Sequence, residues 1–216
     1  MLEVKDLKVS IARAPILRGV NMEIPRGSTV GLIGRNGAGK TTLMRSIMGL
    51  VPSDGGGIFF DGDNLIKQPP HKRAALKIGY LPEDRRLVPH FTVEENIQVP
   101  LWATKRKEDL GRVDWVYGLM PEIARFKDRK ALSLSGGQQK LVALGRAMVC
   151  GSELLLLDEP FEGVAPALAR RLMEVLVSLK KKGLTVLVSE SDYTHSADLV
   201  DKVYSIERGQ ITELAT

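Results

Sequence analysis

The 216-residue chain predicts an α/β fold: a mostly parallel sheet, an antiparallel β-part at the start, and an inserted helical subdomain. Three observations carry that reading. Apolar strand-like runs alternate with helix-periodic stretches towards both ends of the chain, the pattern of a parallel sheet. A glycine-rich loop, residues 34–41, joins one such run to a helix. Between about residues 85 and 150 the chain turns charged, helix-periodic and β-poor.

The elements follow in order. Leu2, Val4, Leu7 and Val9, then Val20, Met22 and Ile24, alternate as antiparallel strands do, and Pro25-Arg26-Gly27 makes a turn. Residues 29–33 are apolar throughout, as a strand buried on both faces should be. A helix over residues 40–50 is broken by Pro52-Ser53-Asp54-Gly55-Gly56-Gly57, and residues 57–62 read as another strand and turn. The last helix of the insert covers 137–150, with Leu141, Leu144 and Met148 on one face. A strand at 154–157 precedes a helix at 166–182, whose Leu168, Leu172, Leu176 and Leu179 form one stripe. Strands at 184–188, 202–206 and 210–214 complete a single domain spanning 1–216.

Composition excludes several classes. Hydrophobic residues are 44% and charged residues 26%, which argues against disorder. Apolar runs fall far short of the ~18 residues of a membrane helix. The first residues alternate at once, without a secretory pattern, and the lone Cys150 permits no intrachain disulfide. Cys150 follows an apolar helix pattern and is expected to be buried. A net charge of +5 is mild, and basic clusters at 105–107 and 180–182 lack interleaved aromatics. They read as solvated helix ends, and no nucleic-acid partner is expected.

Gly34-Arg35-Asn36-Gly37-Ala38-Gly39-Lys40-Thr41 matches G-x-x-x-x-G-K-[ST] between a strand and a helix. Glycines let backbone N–H groups approach phosphates, Lys40 supplies a charge to the β- and γ-phosphates, and Thr41 offers a hydroxyl to Mg²⁺. Thr42 adds a hydroxyl near the α-phosphate. A nucleotide and Mg²⁺ are therefore the expected ligand and ion. Asp158 and Glu159 end an apolar strand, where ligands of parallel sheets bind. Asp158 is placed to hold Mg²⁺ opposite Thr41, and Glu159 to polarise the attacking water.

Leu134-Ser135-Gly136-Gly137-Gln138 is a second potential anion site, because a serine followed by two glycines opens a helix with bare N–H groups. Two such sites for one triphosphate point to a nucleotide gripped by two subunits.

Taken together and in this order, the three motifs resemble the ATPase subunits of ABC proteins over nearly the whole chain. That resemblance implies a P-loop NTPase fold: a RecA-like core, an antiparallel β-subdomain and an inserted α-helical subdomain. It also implies a head-to-tail dimer, identical or not, with each ATP between one subunit's phosphate loop and the other's Ser135–Gln138 turn. Finer stretches are similar to the shorter ATPase of branched-chain amino-acid importers: Pro82-Glu83-Asp84-Arg85-Arg86, Phe91-Thr92-Val93-Glu94-Glu95-Asn96, Leu119-Met120-Pro121-Glu122 and Gly163-Val164-Ala165-Pro166. The implied partners are transmembrane permeases and, indirectly, a substrate-binding protein. The implied place is the cytoplasmic face of the membrane.

Several positions depart from the general family pattern. Glu83 stands where many members have Gln, and reads as a holder of magnesium-bound water or as a surface acid. Ser191 stands where a γ-phosphate-contacting His is usual, with His195 about one turn beyond. A short hydroxyl there implies slow hydrolysis. No aromatic precedes Phe59, so Arg13 is the candidate to stack on adenine, or else a solvated arginine. Trp115 reads as core, and Trp102 as core or interface with the membrane partner. Two other readings stay open: a non-transport ATPase of this family acting on DNA or the ribosome, and a weakly hydrolysing regulatory subunit.

Overall fold

The computed structural model describes residues 1–106, 111–192 and 199–214. β1 (Leu2–Ile11) and β2 (Ala14–Ile24) form a hairpin, and β4 (Gly55–Phe60) and β5 (Asp63–Asn64) extend it into an antiparallel sheet of order β2-β1-β4-β5. The second sheet contains β3 (Thr29–Ile33), β6 (Ile78–Leu81), β7 (Leu154–Asp158), β8 (Thr185–Glu190), β9 (Lys202–Glu207) and β10 (Gln210–Leu214). Its order is β10-β9-β3-β8-β7-β6, and every pairing is parallel except that of the edge strand β10.

Helices α1 (Lys40–Ile47) and α2 (Lys72–Ala75) precede β6. The insert holds α3 (Val93–Thr104), α4 (Gly111–Leu119), α5 (Pro121–Ala124) and α6 (Gly136–Cys150), and α7 (Pro166–Lys181) lies between β7 and β8. α3 starts with a capping box, in which Thr92 and Glu95 each bond the other's backbone N–H.

The parallel sheet separates two cores, which explains the unbroken apolar run of β7. Leu154 and Leu156 face a core with Leu2, Val4, Leu43 and Ile47, built on the antiparallel sheet and α1. Leu155 and Leu157 face the other way, into a core with Ile97, Leu144, Met148 and Leu176 from the helices. A period of two with both faces covered calls for apolar side chains along the whole strand.

Most expected elements are present, some with moved ends. The helix after the glycine loop stops at Ile47, and the strand near residue 57 begins at Gly55. β6 has no strand pattern of its own in the sequence. It is short and contains Gly79, where an added Cβ would come within 2.1 Å of the Ala147 carbonyl on α6. Glycine is what lets α6 pack directly on the sheet edge.

One side-chain expectation needs correction. Arg106 is not a solvated helix end: it is buried, donating to the carbonyls of Ala74 and Cys150. Of the two readings of Trp102, core or interface, the core one falls away: it is 52% exposed and meets Phe91 edge-on. Trp115 is half-buried against the helical core, with Arg112 and Lys182 over its ring. Cys150 is buried, as expected. Among the described residues no helix is long and apolar enough to cross a membrane.

Candidate functional site

The candidate residues gather because four neighbouring parallel strands end side by side. β3 runs into the glycine loop, β8 into Ser191, β7 into Asp158-Glu159, and β6 into Pro82-Glu83. Register fixes the alignment: Ile33 pairs with Glu190, and Asp158 with Ser189. This is the carboxyl edge at which open α/β sheets bind ligands.

The glycine loop is shaped as a cradle. Gly37 and Gly39 have φ of 80° and 118°, outside the range of ordinary side chains, and nothing lies within 4 Å of where a Gly37 Cβ would stand. A cavity of about 350 Å³ is lined by Asn36, Gly37, Gly39, Lys40, Thr41, Thr42, Glu83, Glu159 and Ile16. Lys40 donates to the carbonyl of Gly34 and sits 3.1 Å from Glu159 Oε1, both side chains being nearly inaccessible.

Asp158 is wholly buried and accepts three hydroxyls. Thr41 Oγ1 lies 3.2 Å from Oδ1, Ser189 Oγ 2.9 Å from Oδ1, and Tyr80 OH 3.2 Å from Oδ2. Burial pushes its carboxyl above the ordinary value, and the three hydroxyls only partly offset that. The Tyr80 hydroxyl is pushed up too, by burial and by the neighbouring Asp158 charge.

Glu159 adopts φ of 50°, the left-handed region, which a non-glycine side chain enters only when its surroundings hold it there. Its N–H lies 3.2 Å from both Ser189 Oγ and the Ser189 carbonyl. Burial alone would raise its carboxyl, but bonds from Glu162, Lys40 and Ser191 bring it below the ordinary value. Glu162 goes the opposite way, raised by sharing a hydrogen bond with Glu159. Ser191 Oγ lies 3.1 Å from Asn36 Oδ1 and 3.3 Å from Glu159 Oε2, so its one hydrogen serves either. These groups line a second cavity of about 510 Å³ with Phe161, Glu190 and Asp192.

The sequence candidates thus divide. Gly37, Gly39, Lys40, Thr41, Thr42, Asn36, Glu83, Glu159 and Ser191 line these two cavities, Asp158 lines a third of about 210 Å³ with Thr41 and Glu83, and Gly34 and Ala38 complete the loop. The Ser135 turn lies elsewhere, exposed at the start of α6. There Ser135 Oγ accepts from the Gln138 N–H at 3.3 Å, and Gln138 Oε1 accepts from the Ser135 N–H at 3.1 Å. Arg13 stands exposed at the hairpin tip with φ of 69°, and the wall beside the phosphate loop is Ile16 instead. His195 lies outside the described residues.

Sequence reasoning missed Tyr80, Ser189, Glu162 and Lys140. The first three reach the acid pair from other strands or from the following turn. Lys140 is buried on α6, its Nζ 2.9 Å from the carbonyls of Glu159 and Glu162, and burial lowers its pKa. None of these contacts follows from local spacing.

A cradle of N–H groups, one buried lysine and an adjoining hydroxyl–carboxylate pair make an oxygen-donor set suited to a triphosphate with a hard cation. The comparisons agree. The family model described as "ABC transporter" matches residues 17–162, more than half of the chain. The high-affinity branched-chain amino acid transport ATP-binding protein BraG of Pseudomonas aeruginosa is 33% identical, covering 98% of this chain and 91% of its own. The lipopolysaccharide export system ATP-binding protein LptB of Haemophilus influenzae is 32% identical, covering 100% and 90%. A nucleotide-free ATP-binding cassette from an ABC transporter superposes with a TM-score of 0.85 at 28% identity, over 99% of this chain and 90% of that one. A dimeric bacterial ABC transporter cassette gives 0.88 at 25%, over 100% of both. Cassettes of this kind dimerise and work with membrane permeases. The chain belongs to the ABC transporter family and is an ATP-binding cassette subunit that hydrolyses ATP.

Proposed function

We propose that this subunit powers an importer of branched-chain or related amino acids from the cytoplasmic face of the membrane, through separate permeases served by a substrate-binding protein. The observation that carries the reading is the likeness to BraG over nearly all of both chains. The archaeal LivF-named relative, also described as a branched-chain amino acid transport ATP-binding protein, is 32% identical over 98% of this chain. LptB relatives at 32% favour a second reading, export of a lipopolysaccharide.

In the proposed chemistry the 34–41 loop binds the phosphates through its N–H groups, and Lys40 contacts the β- and γ-phosphates. Thr41 and Asp158 would hold Mg²⁺, with Glu83 as a further carboxylate beside them, and the ion would supply charge neutralisation for the transferring phosphoryl group. Glu159 polarises the attacking water, and Ser191 offers one short hydrogen bond beside it. Ile16 gives an apolar face towards the nucleoside, and Arg13 reaches it from the hairpin tip. The Ser135–Gln138 turn acts on the ATP of the partner cassette, which explains why it stands exposed and apart from this chain's own cavity.

Uptake decides between the two readings. Cells lacking the chain are expected to lose accumulation of labelled leucine or a related amino acid, and to regain it on complementation. Unchanged amino-acid uptake together with defective glycolipid delivery sinks the importer reading.

A further inference from the structure

We propose that Lys140 is a positioning residue for Glu159, acting from the helix whose first turn is Ser135–Gln138. Lys140 is 5% exposed, and its ammonium donates to the carbonyl oxygens of Glu159 and Glu162, each at 2.9 Å. Those carbonyls mark the two ends of a tight turn, closed by the Glu162 N–H to the Glu159 carbonyl at 3.3 Å. The turn holds Glu159 at φ of 50°. In that conformation its carboxylate meets Lys40 at 3.1 Å and Ser191 at 3.3 Å.

A left-handed residue with a side chain relaxes towards negative φ unless its peptide planes are held. Such relaxation swings the Cβ, and with it the carboxylate, away from Lys40 and Ser191. From the amino side, Ser189 receives the Glu159 N–H. From the carboxyl side, Lys140 holds the Glu159 carbonyl. The ammonium is a suitable clamp because it carries several hydrogens and so bonds two carbonyls at once. It also stands on the same helix as Ser135, so any tilt of α6 against β7 moves the main chain that carries Glu159. The exposed turn and the buried carboxylate are thereby mechanically joined within one subunit. The inference rests on the reading of Glu159 as the water-polarising carboxylate.

The test uses the assembled transport complex carrying Lys140→Met, Lys140→Gln or Glu159→Gln, and the double variant Lys140→Met/Glu159→Gln. Methionine keeps an apolar stem but no donor, and glutamine restores an N–H₂ with two hydrogens and no charge. Turnover, KM for ATP, affinity for a fluorescent ATP analogue and melting temperature are read for each. Lys140→Met is expected to lower kcat about 10- to 100-fold, the cost of a misplaced reacting group. Analogue affinity and KM stay within about twofold of the parent, because the phosphate loop is untouched. Lys140→Gln recovers most of the turnover, and Lys140→Met adds no further loss in the Glu159→Gln background.

Parental kcat in Lys140→Met overturns the proposal. So does a Met variant that melts far below the parent with kcat and affinity falling together, since that marks a merely structural residue. Glu159→Gln turning over at the parental rate removes the underlying reading of Glu159 itself. A slow Glu159→Gln beside a parental Lys140→Met removes only the clamp.

Discussion

Lys40 Nζ and Glu159 Oε1 lie 3.1 Å apart with both side chains almost fully buried. The cation of the phosphate loop and the carboxylate after β7 therefore form one ion pair, and phosphate oxygens compete with Glu159 for the same ammonium. Glu159→Gln removes that competitor, so ATP is expected to bind at least as tightly as to the parent. Lys40→Met is expected to weaken binding at least about tenfold, through loss of a charge-assisted contact. Equilibrium titration with a fluorescent ATP analogue checks both. Equal weakening in the two variants contradicts this linkage.

Ser189 donates to Asp158 Oδ1 and accepts from the Glu159 N–H, all within a buried site. Ser189→Ala takes one of three hydroxyls from buried Asp158 and leaves the Glu159 N–H only the residue-189 carbonyl, a loss of about 1–3 kcal/mol. Because Asp158 loses one of three orienting hydroxyls, analogue binding should also need more Mg²⁺. Ser189→Thr, which keeps the hydroxyl, should restore the parental magnesium dependence. An unchanged magnesium midpoint in the alanine variant counts against the orienting role.

Gly79 has no room for a methyl group, because the backbone of α6 and of Gly151 just after it fills the space: Ala147 O at 2.1 Å, Gly151 N at 2.8 Å. Backbone atoms cannot rotate aside as a side chain does. Gly79→Ala is expected to cost about 3 kcal/mol, the upper range of overpacking. For a chain of this size that lowers the melting temperature by roughly 10 °C. A calorimetric scan showing parental melting would mean that β6 and α6 are farther apart than described.

Glu122 gives a pH signature. Burial pushes its carboxyl up, but Arg171, 2.6 Å away, more than offsets this, so the folded value lies below the ordinary one. Such a group contributes stability at pH above its unfolded pKa, and the contribution is lost as pH falls through the folded value. The parent should therefore lose stability on acidification below about pH 4.5 more steeply than Glu122→Gln, since carboxylates of the unfolded chain titrate there. Melting curves between neutral pH and pH 3 check it; parallel curves for the two proteins would sink the assignment.

What was legible in the sequence is what local chemistry writes locally. Lys40 and Thr41 could be read because the glycine loop needs those types at that spacing. Asp158 and Glu159 stood out because a strand covered on both faces has no packing use for carboxylates at its end. The four leucines of β7 marked a strand, and the structure places alternate ones in two separate cores. β6 was not legible, because four residues including Gly79 make too short a pattern. Tyr80, Ser189 and Lys140 escaped because their significance lies in contacts made across strands or from α6 to the β7 turn. Arg106 misled because a basic cluster looks solvated until the fold brings carbonyls to it. Arg13 stood out by its chemistry, whereas Ile16, which lines the wall beside the phosphate loop, carried no such signal.

The most direct test of the whole account is the steady-state ATPase rate of the assembled complex with Glu159→Gln in this subunit, measured beside its nucleotide affinity. A carboxylate that polarises water is worth about 10²–10⁴-fold in rate. The expected result is a fall of at least about 100-fold with affinity retained. Turnover at the parental rate would contradict the account, because Glu159 would then contribute nothing to hydrolysis by the complex.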